Sequence, residues 1–430
     1  MLEITRRDAL KFAVATGFAA TLSRAVPAAW AADNPNAKPV RVGFIGVGDR
    51  GTSLLNVMLA FPGVEIPAVC DIDPKHLSHA QDIVEKHLKK RPDGVTGDPH
   101  AYRKLLARED IDAVLIATPQ ELHSEMAIDA MNAGKAVGSE VPACVNIDEC
   151  HALVSAQQKN KTMYMMLENY LYSQPVMMVQ NMVNQGVFGD LTYGFGGYIH
   201  EIRSMRFNKD GSLTWRGENV LHTRGIVYPT HAIGPVCRWM GVNQNDKLVS
   251  LVCMDSKSAG NQVYAEKKFG KDSSQAKIQW ENGDTNQCLV RTEQGRLIEV
   301  RYDTASPRPA GMGQYSLQGT KASYESAVGE RKLYIEGKSK SEQWEDLEKY
   351  RPKYDHPYWA KRGEEAQKSG HGGGDYFVIS DFLDAIRSGK SAVDVYDAVT
   401  WTSIRPLSEE AIRSGKQPVA IPDFKKDASA

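Results

Sequence analysis

Three glycines in the stretch Gly46-Val-Gly-Asp-Arg-Gly51 have a spacing that could bind a pyrophosphate. The apolar run Val40–Ile45 before them predicts a buried strand, and the apolar pattern after them predicts a helix. In a strand–turn–helix unit, Gly46 permits the tight turn, Gly48 lets the pyrophosphate approach the backbone, and Gly51 lets the helix pack close to the strand. The helix N-terminus offers N–H groups to the phosphates. The spacing therefore predicts a dinucleotide site, with an ordinary turn as the alternative.

A carboxylate follows the next predicted strand. Asp71 comes directly after Val69-Cys70, twenty residues beyond Gly51. At this point of a dinucleotide-binding unit, a carboxylate accepts hydrogen bonds from the ribose 2′-hydroxyl, and its charge repels a 2′-phosphate. The sequence therefore favours NAD over NADP as the cofactor.

Polar residues also follow three later predicted strands. Gln120 and His123 lie after the first of these strands, Glu140 after the second, and Asn169 after the third. Ligands bind at the carboxyl ends of the strands in an open parallel sheet. We therefore expect these side chains to line the cofactor cleft, with Glu140 near the nicotinamide ribose. For the Gln120–His123 segment, a proline turn with a helix cap is the alternative.

The segment Tyr228-Pro-Thr-His231 precedes an apolar helical pattern and could supply acid–base chemistry. Thr230 is predicted to cap that helix, which would place His231 at the positive end of the helix dipole. This position favours a neutral imidazole, which can accept a proton. A structural histidine is the alternative, and the neighbouring Tyr228 favours the functional interpretation.

The sequence does not decide the roles of two further histidines. The segment His371-Gly-Gly-Gly-Asp375 is predicted to start a helix with Asp375 as its N-cap and to bring His371 toward the cleft. His200 lies near the end of a predicted strand and is equally undecided. Histidines and carboxylates are too scattered to predict a metal site.

The elements that must position these residues begin with a predicted parallel sheet. Residues 38–170 alternate short apolar runs with amphipathic ones, which predicts an α/β Rossmann dinucleotide-binding domain. The predicted strands are 40–46, 65–70, 111–117, 135–139 and 162–167. The predicted helices are 51–60, 74–90, 99–107, 121–133, 147–159 and 173–185.

The pattern changes in residues 171–372, which predict an α+β substrate and oligomerisation domain with an open, mostly antiparallel sheet. Its alternating stretches are 191–199, 248–254, 287–292 and 296–302. Residues 229–240 predict a helix, and residues 337–372 predict an extended segment over the surface. Residues 373–430 are predicted to form C-terminal helices that pack back on the core.

The N-terminus, residues 1–31, has the order of regions found in a twin-arginine signal peptide. Arg6-Arg7 precedes a mildly apolar stretch, and Ala29-Trp-Ala31 offers a cleavage site. We therefore expect export of the folded protein to the periplasm or the medium, with no membrane anchor after cleavage. An amphipathic N-terminal helix is the alternative.

Composition sets two further expectations. The 430 residues carry a net charge of −1, and their basic residues are dispersed, which argues against a nucleic-acid partner. The six cysteines show no metal-binding spacing, and a protein folded before export needs no disulfide framework. We expect no structural disulfide, with Cys70 and Cys253 in the core.

At the level of motifs, residues 40–200 resemble the Gfo/Idh/MocA oxidoreductases through the glycine loop, Cys70-Asp71, Ala117-Thr-Pro119 and Glu140-Val-Pro142. Most members have a catalytic lysine where this chain has Val141. A narrower set of motifs is similar to glycoside hydrolase family 109, whose members are NAD-dependent glycosidases related to α-N-acetylgalactosaminidases. These motifs are Gly138-Ser-Glu-Val-Pro-Ala143, Met166-Leu-Glu-Asn169, Gly196-Gly-Tyr-Ile-His200, Trp215-Arg216, Tyr228-Pro-Thr-His231, Gln318-Gly-Thr-Lys321 and His371-Gly-Gly.

The resemblance implies roles for particular residues. It implies NAD contacts at Arg50, Gly51, Asp71, Gln120, His123, Glu140, Val141, Asn169 and Arg216. It implies sugar contacts at Tyr198, Tyr228, Pro229, Thr230 and His231. Two positions depart from the family pattern on the sugar side: Asn219 stands where a histidine is common, and Ala310 where a tyrosine is common, although Tyr315 could compensate.

The reaction that the resemblance implies is hydrolysis of a glycoside or oligosaccharide with NAD recycled in each turnover. It proceeds by oxidation at C3, elimination of the aglycone, water addition and re-reduction, with His231 and Tyr228 predicted to transfer protons. A recycled cofactor suits an exported enzyme, which has no NAD pool to draw on. A periplasmic sugar oxidoreductase with tightly bound NAD(P) and a non-catalytic sugar-binding protein remain the alternatives. A homo-oligomer is expected.

Overall fold

A parallel sheet forms the first domain. The computed structural model describes residues 38–309 and 311–427, so the predicted signal segment and Ala310 lie outside the described residues. The strands pair in the order β4-β3-β1-β5-β6-β7, and β2 pairs with the start of β1. Their bounds are β1 Val40–Ile45, β2 Val64–Glu65, β3 Ala68–Cys70, β4 Asp93–Val95, β5 Ala113–Ile116, β6 Ala136–Ser139 and β7 Tyr164–Met166.

Helices connect and flank these strands. They are α1 Asp49–Leu59, α2 Pro74–Leu88, α3 Tyr102–Leu106, α4 His123–Asn132, α5 Ile147–Asn160 and α6 Gln174–Asn184. Each predicted helix is present within a few residues of its predicted bounds. The strand predicted at 65–70 is divided at Pro67, which lacks the N–H that a continuous strand needs.

A nine-stranded sheet forms the second domain, in the order β15-β14-β13-β12-β8-β11-β10-β9-β16. Only the β8–β11 pairing is parallel, so the predicted fold class is confirmed. Its strands are β8 Leu191–Ile199, β9 Leu248–Asp255, β10 Thr285–Thr292, β11 Leu297–Asp303, β12 Gly313–Gly319, β13 Ala322–Ala327, β14 Glu330–Ile335, β15 Glu345–Asp346 and β16 Val419–Ala420. Its helices, with those of the C-terminal segment, are α7 Trp215–His222, α8 Thr230–Met240, α9 Gly260–Phe269, α10 Arg351–Tyr354, α11 Pro357–Ala366, α12 Gly374–Ser388, α13 Val395–Thr402, α14 Ile404–Ser414 and α15 Phe424–Asp427.

Two glycines of β8 allow helix α8 to lie directly on the sheet. A Cβ at Gly196 would overlap the carbonyl of Ala232, and a Cβ at Gly194 would meet Val236 at 2.5 Å. This close packing fixes the first turn of α8, where His231 lies, against the centre of the sheet.

Three predictions about this half of the chain are wrong. Cys253 and Cys288 form a disulfide, because they are directly paired residues of antiparallel strands β9 and β10, a register that cysteine spacing does not reveal. Both are buried, as expected for Cys253. The segment 337–372 is folded against the core rather than extended over the surface, since it contains α10 and α11 and buries Leu347 and Trp359.

The third correction concerns both predicted helix caps. Helix α12 begins at Gly374 after a Gly373 cap, so Asp375 lies in its first turn, and helix α8 begins at Thr230 after Pro229. Neither predicted side chain caps its helix. Within the described ranges, no helix is long and apolar enough to span a bilayer.

Candidate active site

The glycine loop has the shape that a pyrophosphate requires. Gly46 has a φ of 82°, and a Cβ there would meet the Ala117 carbonyl at 2.8 Å. A Cβ at Gly51 would overlap the backbone of Gly46. At Gly48, in contrast, the nearest atom to an added Cβ belongs to His76 at 3.6 Å. The first and third glycines are needed for the protein's own packing, whereas the second keeps open a space that a bound group can fill.

Asp71 lies against this loop. Its Oδ2 accepts a hydrogen bond from the Val47 N–H at 2.8 Å, and its Oδ1 accepts one from the Asp73 N–H at 2.8 Å. The carboxylate is therefore fixed beside the glycines, where a ribose hydroxyl of a loop-bound dinucleotide would meet it.

Arg50, in the first turn of α1, joins the loop to two other parts of the chain. Its Nε lies 2.6 Å from Glu140 Oε1 at the end of β6, and its Nη1 lies 2.8 Å from Asp375 Oδ2 in α12. Asn169 Nδ2 donates to Asp375 Oδ1 at 2.8 Å, and His371 Nδ1 lies 2.8 Å from Asp375 Oδ2. Three residues predicted to contact NAD, Arg50, Glu140 and Asn169, are thus brought together.

Electrostatics explains how Asp375 can be buried there. Burial opposes ionisation, but the hydrogen bonds from His371 and Arg50 outweigh it and hold the pKa of Asp375 well below its usual range. For Arg50, burial is likewise outweighed by Glu140 and Asp375, which raise its pKa. Helix α12 is consequently attached to the glycine loop by the buried Arg50–Asp375 ion pair.

A second cluster surrounds His231. Its Nδ1 lies 2.7 Å from Oε1 of Glu168, a fully buried carboxylate that follows β7. Since a carboxylate is an acceptor, this pairing places a proton on Nδ1, so that Nε2 is the proton acceptor of the neutral ring. The ring centroids of Tyr170, Tyr228 and Tyr198 lie 4.4, 4.9 and 5.4 Å from that of His231.

The carbonyl of His231 is held by Tyr315. Pro235 lies four residues later in α8 and has no N–H to bond that carbonyl. The Tyr315 hydroxyl donates to it instead, at 2.6 Å. Tyr315 thus lies behind the histidine, buried, and supports its helical turn.

The tyrosines of this cluster are held as neutral phenols. Burial raises the pKa of Tyr228 well above its ordinary value, and Glu140 adds to the effect. Burial also raises the pKa of Tyr198, which stacks on Tyr228 at 5.4 Å and bonds His200 Nδ1 at 3.2 Å. Burial lowers the pKa of His200. These tyrosines can therefore donate hydrogen bonds to a substrate hydroxyl, which leaves His231 as the base.

The remaining predicted residues divide into three groups. Gln120 and Arg216 line a pocket together with Tyr198 and Tyr228. Pro229 and Thr230, which precede His231 in the chain, are buried, as is Val141, and Thr230 Oγ1 has no partner among the described residues. His123 does not reach the cleft: its two ring nitrogens lie 2.8 Å from the carbonyls of Pro142 and Thr118, which gives it a structural role.

Several buried polar atoms at the cleft have no partner within the described ranges. They include Gln120 Oε1 and Asn169 Oδ1, both acceptors at the carboxyl edge of the first sheet. The hydroxyls and carboxamide of a nicotinamide nucleoside are donors suited to them. Together with the open space at Gly48, these acceptors fit NAD. No group of three or more metal-ligating side chains is present in the part of the chain that is described.

Sequence reasoning missed the two carboxylates that organise the site. The pattern of polar residues after strands points to Asn169 and gives Glu168 no role of its own, and Asp375 is predicted only as a helix cap. The signal available for Glu168 was its place after a strand of the first sheet; nothing local indicated that His231, 63 positions later, would bond it.

Comparisons with known proteins agree with this architecture. Residues 40–168 match the family described as oxidoreductase family, NAD-binding Rossmann fold, and residues 172–429 match glycosyl hydrolase 109, C-terminal domain. A glycosyl hydrolase family 109 protein of Shewanella sp. (strain W3-18-1) is 38% identical over 403 residues, which is 92% of this chain and 87% of that protein. One from Solibacter usitatus (strain Ellin6076) is 37% identical, over 99% of this chain and 98% of its own.

Solved structures show the same fold at low identity. Levoglucosan dehydrogenase in complex with NADH has a TM-score of 0.69 and 19% sequence identity, covering 90% of this chain and 100% of that chain. Its complex with NADH and L-sorbose has a TM-score of 0.70 at the same identity, with the same coverage. The family match of residues 40–168 shows that the first domain is an NAD-binding Rossmann domain.

Proposed function

Because this chain belongs to glycosyl hydrolase family 109, we propose that it is a glycosidase that uses NAD as a recycled cofactor. The observation that carries the proposal is the His231–Glu168 pair beside Tyr228, which lines a pocket together with Gln120 of the NAD-binding domain. A valine, Val141, occupies the position at which the related oxidoreductases have their catalytic lysine, and it is buried. The acid–base chemistry of this site therefore belongs to His231 and its neighbours.

The residues divide the work as follows. Gly48, Asp71, Arg50, Glu140, Gln120 and Asn169 would hold NAD. When bound, NAD supplies a reversible two-electron oxidation of the sugar at C3, so that no external acceptor is consumed. His231 Nε2 takes up the proton that the sugar loses, and Glu168 stabilises the resulting imidazolium through Nδ1. The phenols of Tyr228 and Tyr198 hold the sugar hydroxyls by hydrogen bonds.

Bond cleavage then needs no pair of glycosidase carboxylates. Once His231 has passed the first proton to solvent, it can remove the C2 proton, which a ketone at C3 makes acidic. The aglycone then leaves C1 with the electron pair of the C1–O bond and takes a proton from solvent. Water adds at C1 and loses one proton to solvent, His231 returns a proton to C2, and reversal of the oxidation restores the C3 hydroxyl. The net reaction is glycoside plus water giving free sugar and aglycone.

The experiment is a screen of 4-nitrophenyl glycosides of both anomers, with and without added NAD⁺, on protein whose NAD content has been measured. We expect catalytic nitrophenol release without an electron acceptor, abolished in His231→Ala although NAD still binds. Formation of an oxidised glycoside without nitrophenol release would identify an oxidoreductase instead. Full turnover by His231→Ala would remove this residue from the mechanism.

Export is a separate part of the proposal and is supported by the Arg6-Arg7 pattern alone. We expect the mature protein in the periplasmic or secreted fraction, and retention in the cytoplasm when both arginines are replaced by lysine. Equal export of that variant would contradict the twin-arginine route.

A further inference from the structure

The guanidinium of Arg206 is buried in the wall of the pocket that contains Tyr198 and Tyr228. It is 1% exposed, and its two hydrogen-bond partners are neutral: Nη1 donates to Asn261 and Nη2 donates to Thr304 Oγ1 at 2.6 Å. Its Nε has no partner among the described residues. A buried cation bonded only to neutral groups is unusual, because desolvation of the charge is not balanced by an anion.

The two carboxylates whose charges act on Arg206, Asp284 and Glu201, are bonded to other groups. Glu201 lies 2.8 Å from Arg203 Nε, and Asp284 accepts the backbone N–H groups of residues 259 and 260. Burial accordingly dominates and lowers the pKa of Arg206. The positive charge is left available to a group that enters the pocket.

A second arginine lines the same pocket. Arg216 lies over the Trp215 indole, with 4.1 Å between its Cζ and the ring centroid, and within the described ranges it forms no ion pair. The lining residues include both arginines and no aspartate or glutamate. The acidic side chains near His231 are engaged in ion pairs, Glu168 with His231 and Glu140 with Arg50.

A third arginine, behind the wall, orients a neutral donor. Arg405 is 5% exposed, and its Nη2 donates to Asn219 Oδ1 at 2.8 Å. Because the amide oxygen is occupied, Asn219 has its Nδ2 free, and that atom has no partner in the described part of the chain. Asn219 also lines the pocket, so the wall presents two guanidinium groups and an amide N–H₂.

We propose that the Arg206–Arg216 wall binds an oxyanion on the sugar, a carboxylate or a sulfate ester, so that the preferred substrates are anionic glycosides. Guanidinium groups bind such oxyanions through paired, charge-assisted hydrogen bonds. The inference rests on the proposed function for the reaction itself and adds the class of sugar.

The test compares 4-nitrophenyl glycosides that differ only at C6, as hydroxymethyl, carboxylate or 6-sulfate, in both anomers. We expect kcat/KM for one of the two anionic sugars to exceed that for the neutral sugar at least tenfold, and the better of the two identifies the oxyanion. Arg206→Gln should remove this preference while its measured Kd for NAD stays within threefold of the parent value. Arg206→Lys should keep part of it.

Two further variants separate recognition from structure. Arg91→Gln removes an arginine that does not line the pocket and whose ion-pair partners are Asp82 and Glu85, and it should keep the preference. If Arg206→Gln does not fold, Arg216→Gln replaces it. Because Arg216 is also a predicted NAD contact, this variant is measured on NAD-saturated protein, where it should lose the preference. A lower melting temperature with unchanged anionic preference would make Arg206 structural and overturn the proposal, as would equal or better turnover of the neutral sugar by the parent protein.

If no glycoside is hydrolysed, the proposed function is contradicted. The inference about the class of sugar is then tested by measuring sugar binding. Glucuronate and glucose 6-sulfate are then compared with glucose by calorimetry on NAD-saturated protein. At least tenfold tighter binding of one anionic sugar, lost in the glutamine variant, upholds the inference, and equal binding overturns it.

Discussion

His231 and Glu168 meet across the two domains, with 2.7 Å between Nδ1 and Oε1. Glu168 follows the last strand of the parallel sheet, and His231 lies in the first turn of the helix packed on the antiparallel sheet. The base and the carboxylate that orients it therefore come from different domains, so the catalytic pair forms only where the domains pack together.

The Glu168→Gln variant tests this pairing. Glutamine keeps the shape of the side chain but cannot stabilise an imidazolium, so kcat should fall by about 10²- to 10⁴-fold. NAD affinity should change less than threefold, because Glu168 is not among the groups that would hold it. Steady-state kinetics and NAD calorimetry make the comparison. The matched control is Glu299→Gln on the second sheet, where the carboxylate accepts a hydrogen bond from Tyr193. This control should keep the kcat of the parent protein. If Glu168→Gln also kept the parental kcat, the proposed role of the His231–Glu168 pair would be contradicted.

Gly48 and Gly51 should respond differently to alanine. At Gly48 the backbone φ is −65°, and an added Cβ has no protein atom closer than 3.6 Å, so the fold should tolerate it. The methyl group would, however, occupy the space kept for the pyrophosphate. We expect Gly48→Ala to keep its melting temperature but to weaken NAD binding at least tenfold. Gly51→Ala should lower both the melting temperature and the affinity for NAD, since its Cβ overlaps the backbone of Gly46. Unchanged NAD affinity in Gly48→Ala would place the cofactor elsewhere.

Asp375→Asn should weaken the attachment of helix α12 to the glycine loop. It removes the buried partner of Arg50, and breaking a buried ion pair typically costs about 3 kcal/mol of unfolding free energy. Urea unfolding should show this loss, and NAD should dissociate faster. Asp82→Asn removes an exposed partner of Arg91 and should cost less than about 1 kcal/mol. Equal effects of the two variants would show that the Arg50–Asp375 pair has no special contribution.

His356 makes folding stability depend on pH. Burial lowers its pKa to about 4, although Asp355 opposes the shift, and its neutral Nδ1 accepts the Tyr358 N–H at the start of α11. The unfolded chain binds this proton near pH 6.5, whereas the folded chain does so only near pH 4. Stability from this residue is therefore complete well above pH 6.5 and decreases as the pH falls, by about 2.5 kcal/mol at pH 4.5.

The control for that prediction is His356→Asn, in which the amide oxygen keeps the helix cap but does not titrate. Urea unfolding of both proteins at pH 7 and pH 4.5 isolates the contribution of the histidine. An identical loss of stability in the two proteins would contradict it.

The first domain was predictable from sequence because its signals are local. A strand, three glycines, a helix and Asp71 occur within a short stretch, and each has a physical reason for its position. The location of the polar residues that follow the strands was also predictable, because the carboxyl ends of parallel strands lie at one edge of the sheet. His123 shows the limit: its position was predicted, but the two carbonyls that bind its ring nitrogens could not be read from spacing.

The second half of the site depends on long-range packing. Tyr315 was predicted as a substitute sugar contact, whereas it completes the turn that Pro235 leaves without a hydrogen bond. Cys253 and Cys288 pair through strand register, and Glu168 meets His231 through domain packing. Each of these contacts joins residues far apart in the sequence, so none leaves a periodic or local pattern.

The most direct test of the central claim is hydrolysis in D₂O, with mass and NMR analysis of the released sugar. If His231 removes and returns the C2 proton, the sugar should carry deuterium at C2, and hydrolysis should stop when NAD is removed and resume when it is restored. A sugar that keeps its C2 hydrogen, released at the same rate without NAD, would contradict the recycled-cofactor mechanism.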